Sequence, residues 1–148
     1  METRETGTVR VVDGARSADD LGKLILRIML AGLLLFHGIA KVFSGPGFIM
    51  DVVAKAGLPS ALGYLVYVGE IVAPLLILFG IMTRAAALVV VVNMVVAVAL
   101  VHASQFLDIS KTGGWALELQ AFYFFTALAL VVMGAGRYSV AGINGRWN

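Results

Sequence analysis

From Leu88 to Ala103 the chain is apolar except for Asn93 and His102. A helix that is hydrophobic all round has to be buried, in protein or in lipid. Three further stretches have the same character, so the expected spans are about Leu24–Phe43, Leu62–Met82, Ala85–Ala103 and Ala116–Gly134. Each comes close to the roughly 20 residues needed to cross a bilayer as a helix. Composition agrees: 60% of the 148 residues are hydrophobic and 14% are charged. Soluble domains run at about 45–50% apolar and about 25% charged. Inside hydrocarbon, backbone groups must bond within their own segment, which selects helices here. The expected fold is therefore all-α, an integral membrane four-helix bundle in contact with the lipid bilayer.

The segments between the spans are rich in turn formers: Ser44-Gly45-Pro46-Gly47, Gly57-Leu58-Pro59 and Lys111-Thr112-Gly113-Gly114. Only a residue or two around Thr83-Arg84 separates the second span from the third, which implies a tight antiparallel hairpin. Residues 1–20 are polar and read as a flexible cytoplasmic tail. Residues 21–140 hold the four spans, and residues 141–148 form a short cytoplasmic C-terminal tail. The first span is too long for a signal-peptide core and no small-residue cleavage pattern follows it, so it is expected to stay in the mature protein. Arg4, Arg10, Arg16, Lys23, Arg27, Arg84, Arg137 and Arg146 fall on one side, against Lys41, Lys55 and Lys111 on the other. The positive-inside rule then puts both termini of a multi-pass protein in the cytoplasm.

Against this background four ionisable residues stand out: Arg27, His37, Lys41 and Glu70. Such groups cost several kcal/mol in hydrocarbon and need a partner or a role. His37 and Lys41 are four apart and share a helix face. Arg27 precedes Lys41 by fourteen residues, which returns it to within about 40° of that face. At about 1.5 Å rise per residue, His37 lies roughly 9 Å below the outer end of its span and Glu70 roughly 12 Å below the start of its own. Depth therefore favours pairing of Glu70 with His37 or Lys41. Pro74 follows Glu70 by four residues and has no N–H to give, so the Glu70 carbonyl is expected to be freed in the same turn as the carboxylate.

Plainer readings stand beside these. Lys41 can snorkel to the interface, and Arg27 can reach the inner headgroups as a topology anchor. His102 and Glu118 lie near enough to water to be solvated. Asn93 suits packing between helices, and Glu70 suits a structural ion pair. No cysteine is present, which excludes thiolate metal sites and thiol redox chemistry within the chain. No Glu-x-x-His or His-x-x-x-His spacing occurs, so no metal is expected. Nor does a basic patch with interleaved aromatics point to nucleic acid. A polar group in an apolar bundle does suit a quinone, whose carbonyls accept hydrogen bonds and whose reduction takes up protons. It equally suits a proton or small-molecule pathway.

The order Arg27…Gly32…His37-Gly38-x-x-Lys41, then Gly57-Leu58-Pro59, Glu70 and Leu78-Phe79-Gly80-Ile81-Met82-Thr83-Arg84, resembles the DoxX family. Gly134-x-Gly136-Arg137-Tyr138-Ser139 continues the likeness, which covers about residues 21–140. Val140-Ala141 departs from it, because family members often carry an acidic residue there. The resemblance implies a small bacterial four-helix inner-membrane protein, similar to the membrane subunit of thiosulfate:quinone oxidoreductase. By analogy Arg27, His37, Lys41 and Glu70 form its polar core, with Glu70, His37 and Lys41 in the catalytic role and all four around a quinone. The leading expectation is an accessory subunit of a quinone-linked oxidoreductase, working with other subunits of a membrane complex or as a homo-oligomer. A proton-coupled transporter and a purely structural accessory subunit are the alternatives.

Overall fold

The computed structural model describes the backbone of residues 5–148 and the side chains of residues 16–148. Among these residues no β-strand forms, and a single isolated bridge joins Ile109 to Trp115. The first span, Arg16–Ser44, is the outer part of a helix running Glu5–Ser44. A short helix, Gly47–Lys55, leads to the second span, Ser60–Phe79. The third span is Thr83–Val101 and the fourth, shorter, is Glu118–Met133. Helix therefore starts well before residue 21, the boundary expected for the bundle, while residues 1–4 of the expected tail lie outside the described residues.

Successive spans pack side by side and the fourth closes against the first, an up-and-down bundle. The core draws Leu30, Ala31 and Leu34 from the first span, and Ala73 and Ile77 from the second. Ala86, Ala87, Val90 and Met94 come from the third, and Tyr123, Ala127 and Leu130 from the fourth. Lipid tails are as apolar as leucine, so close packing rather than water exclusion holds such helices together, and small residues set how near they come. Gly38 and Gly69 are the tight points. A Cβ on Gly38 would collide with the Glu70 carbonyl and with Ile71, and one on Gly69 would collide with the Asn93 side chain.

The hairpin between the second and third spans is explained by its residues. Gly80 takes the left-handed conformation (φ 70°, ψ 49°). Its N–H bonds Ile77 O at 3.1 Å while the Ile81 N–H reaches back to Leu76 O at 2.9 Å, a Schellman stop. Gly57 ends the short helix by the same device: Gly57 N–H bonds Ala54 O and Leu58 N–H bonds Val53 O. Sequence reading saw the turn at Gly57-Leu58-Pro59 but not the helix it stops. That helix buries only Val53 and seats Met50 against Gly63.

The last residues fold back on the bundle rather than trailing away from it. Asn148 Oδ1 accepts from Thr83 Oγ1 at 2.7 Å, and its Nδ2 donates to Gly142 O at 2.7 Å and Ser139 Oγ at 3.2 Å. Arg84 Nε donates to the Asn148 carbonyl at 3.1 Å. The segment 141–148 is thereby tied to the start of the third span.

Candidate functional site

Glu70 sits in a π turn, Val68–Val72, inside the second span. The turn closes with the Ala73 N–H on Val68 O, one residue wider than α geometry. Pro74 follows immediately and offers no N–H to the α ladder, which gives the local cause of the widening. The carbonyl of Glu70 faces the first span, where Gly38 lets the two backbones approach. The turn thus sets both the carboxylate and the carbonyl of Glu70 toward the first helix.

The partner of Glu70 is Lys41. Both carboxylate oxygens lie 2.5 Å from Lys41 Nζ. The acid is the more deeply placed member: the Glu70 side chain is 7% exposed and the Lys41 side chain 30%. Tyr67 Oη donates to the Lys41 carbonyl at 3.1 Å and clamps that turn of the first span to the second. Of the two partners that depth allowed for Glu70, Lys41 is the one the structure brings to it.

His37 lies one turn below Lys41 on the same helix face but turns to the fourth span. Its Nε2 is 3.4 Å from Tyr123 Oη, and the two rings meet edge to face with centroids 5.8 Å apart. Tyr123 was missed in the sequence, although it is the one hydrogen-bonding aromatic in the middle of the fourth span. Asn93, on the third span, packs against Gly69, and its Nδ2 is buried with no hydrogen-bond partner. Each span therefore sends at least one polar side chain toward the half of the bundle that holds the Lys41–Glu70 pair.

Arg27 is not part of this cluster. It lies about 21 Å along the helix axis from Lys41 at about 1.5 Å per residue. Only 1% exposed, it fills a junction of backbone carbonyls. Nε donates to Ile77 O at 2.8 Å, Nη2 to Leu78 O at 2.8 Å, and Nη1 to Ala135 O at 3.0 Å and Tyr138 O at 2.7 Å. These acceptors are the last turn of the second span and the segment after the fourth, so Arg27 ties three parts of the chain together at that end of the bundle. Instead of reaching the headgroups, it satisfies orphan carbonyls with a rigid fork of donors.

The remaining polar residues stand apart. His102 Nδ1 meets Gln105 Oε1 at 3.0 Å in the outer loop, and Glu118 is exposed at the start of its helix beside Gly114. Among the described residues no group of three His, Asp or Glu side chains is placed to hold a metal ion. An apolar groove of about 380 Å³ lies between the third and fourth spans under the outer loop, lined by residues such as Met94, Val98, Trp115 and Phe124. It contains none of the ionisable groups described above.

Comparison with known proteins gives one match: the family model DoxX fits residues 22–103, more than half of the chain. That stretch contains Arg27, His37, Gly38, Lys41, Glu70 and Asn93, and stops short of Tyr123. Neither curated proteins nor solved structures include a significant match.

Proposed function

Because the chain belongs to the DoxX family, and because its buried acid is paired at the inner wall of an apolar bundle, we propose that it is the membrane subunit of a quinone-linked oxidoreductase. In this reading it anchors a partner subunit and provides a polar quinone and proton site in its outer half. The membrane is the bacterial inner membrane, crossed by all four spans with both termini cytoplasmic. The observation that carries the reading is the Lys41–Glu70 pair, set in a π turn with a carbonyl aimed the same way. Wide turns of this kind are frequent at functional sites.

The donor set fits a quinone. Lys41, His37 and Tyr123 can each offer a hydrogen to a carbonyl oxygen, and they lie on adjacent turns of facing helices. Once bound, the quinone would supply a two-electron, two-proton acceptor. Glu70 would hold a proton at Oε when neutral, and the Lys41 ammonium would balance its charge when ionised. Tyr67 fixes the turn that carries Lys41 and so keeps the pair registered. With no cysteine, the chain depends on a partner for electrons.

The test is direct. Protein purified in mild detergent is extracted with organic solvent and assayed for quinone, then titrated with decylubiquinone in lipid nanodiscs. The expected result is co-purifying quinone, or saturable binding weakened by Glu70→Gln. Absence of both refutes the reading. If Glu70→Gln lowers thermal stability while leaving the quinone reduction of the co-purified complex intact, Glu70 is a structural element instead.

A further inference from the structure

The Tyr123–His37 pair has surroundings unlike those of the Lys41–Glu70 pair. Tyr123 is 6% exposed, whereas His37 is exposed at the outside of the bundle. Their 3.4 Å separation is long for a hydroxyl hydrogen bond, which is best near ~2.8 Å. His37 has no other hydrogen-bond partner among the described residues. Exposed apolar side chains flank the pair on both helices: Leu33 one turn inward of His37 with Phe36 beside it, and Leu119 one turn outward of Tyr123 with Phe122 beside it. The first and fourth spans also touch less extensively than the third and fourth. An imidazole edge facing hydrocarbon at this depth is costly unless a polar group meets it.

We infer that the seam between the first and fourth spans is a lateral mouth, opening to lipid, at which a membrane-dissolved carbonyl compound of the quinone class docks on His37 and Tyr123. The inference rests on the quinone reading above and adds to it the route of entry and the two residues that receive the carbonyl. Lys41 is already paired with both oxygens of Glu70, and Asn93 packs against Gly69 between the second and third spans, so the donors on the first and fourth spans at this seam are the imidazole and the phenol. The apolar rim admits a ring and tail from the bilayer and excludes hydrated solutes. Lys41 lies one turn farther along the first span, paired with the buried Glu70 of the second.

The cysteine-free sequence makes the test clean, since His37→Cys gives a single attachment point for a nitroxide. Power-saturation spectra in lipid nanodiscs compare collision with oxygen, which concentrates in hydrocarbon, and with a water-soluble nickel chelate. The expected label at position 37 meets oxygen and scarcely meets nickel, the reverse of a Lys111→Cys control in the outer loop. Nickel collision equal to that control overturns the inference in favour of an aqueous mouth. Shielding from both probes overturns it in favour of a protein cover, whether a second copy or another subunit.

Decylubiquinone titration supplies the second arm. Tyr123→Phe and His37→Leu each raise the apparent Kd about three- to tenfold, the weight of one hydrogen bond, and His37→Gln restores part of the loss. Tyr123→Phe keeps the ring, so its readout does not depend on refolding the core. Unchanged affinity in both variants sinks the dock and leaves the quinone reading standing. No binding to the native chain sinks both.

Discussion

Removing Lys41 and removing Glu70 should have very different costs, although they break the same pair. Lys41→Met leaves a carboxylate that is 7% exposed, about 15 Å along the helix from Ser60 at about 1.5 Å per residue, on a side chain too short to reach the interface. Stripping one partner from a buried ion pair costs about 3–5 kcal/mol, because the surviving charge is left uncompensated. Lys41 is 30% exposed, so part of its contribution is screened and the lower end, about 3 kcal/mol, applies. Glu70→Gln leaves instead a long cation near the outer rim, free to swing to the headgroups, and should cost about 1 kcal/mol. The double variant Lys41→Met/Glu70→Gln removes both charges. It should recover about a third of the loss seen in Lys41→Met alone, giving a coupling of about 2 kcal/mol. Reversible unfolding in mixed micelles with increasing SDS measures all four proteins. Equal costs for the two single variants, or a double variant that is simply their sum, would refute the account of a buried acid held by a partly exposed base.

Substitutions at three other positions test the parts that hold the bundle together. Gly80→Ala places a Cβ at a positive φ and against Ser139 and the Arg27 guanidinium, so it should lose about 2 kcal/mol in the same unfolding assay. Gly22→Ala is its counterpart: nothing lies within 4 Å of the added methyl, and this helix-interior change should raise stability by about 0.5–1 kcal/mol. Arg27→Met strands four carbonyls at the inner end, those of Ile77 and Ala135 fully buried, at about 1–3 kcal/mol for each buried one left unpaired. It should fail to accumulate in the membrane, as judged by immunoblot of membrane fractions, while Arg27→Lys accumulates at an intermediate level.

What could be read from the sequence followed from two periodicities. Run length and hydropathy set the second, third and fourth spans and the end of the first to within a few residues, since lipid leaves the backbone few options, but not the start of the first helix. Helical phase put His37 and Lys41 on one face, and depth matched them to Glu70. Depth alone could not choose between His37 and Lys41, because that choice depends on the rotation of the fourth span, which brings Tyr123 to His37. The short helix Gly47–Lys55 was missed because one buried residue, Val53, gives no readable amphipathic period. The role of Arg27 was out of reach for another reason. Its partners are backbone carbonyls of Ile77, Leu78, Ala135 and Tyr138, and a carbonyl carries no side-chain signature.

The placement of Glu70 is fixed by absences as much as by contacts. Pro74 withholds an N–H and widens the turn; Gly38 withholds a side chain and lets the first helix come against the Glu70 carbonyl. Gly69 withholds one on the opposite side and admits Asn93 from the third span. With a neighbour pressed to either side, the π turn cannot relax to α geometry without moving a whole helix. That rigidity explains why the acid can sit opposite a single lysine with its oxygens committed, and why any ligand must approach from the remaining side, where the fourth span carries Tyr123. A bulky residue at Gly38 should therefore do more than loosen packing. Gly38→Leu would push the first span outward and separate Lys41 from Glu70. It should also reduce the coupling measured between those two residues to near zero in a repeat of the double-variant cycle. If the coupling survives in the Gly38→Leu background, the pair holds itself together and the close approach at Gly38 is incidental to it.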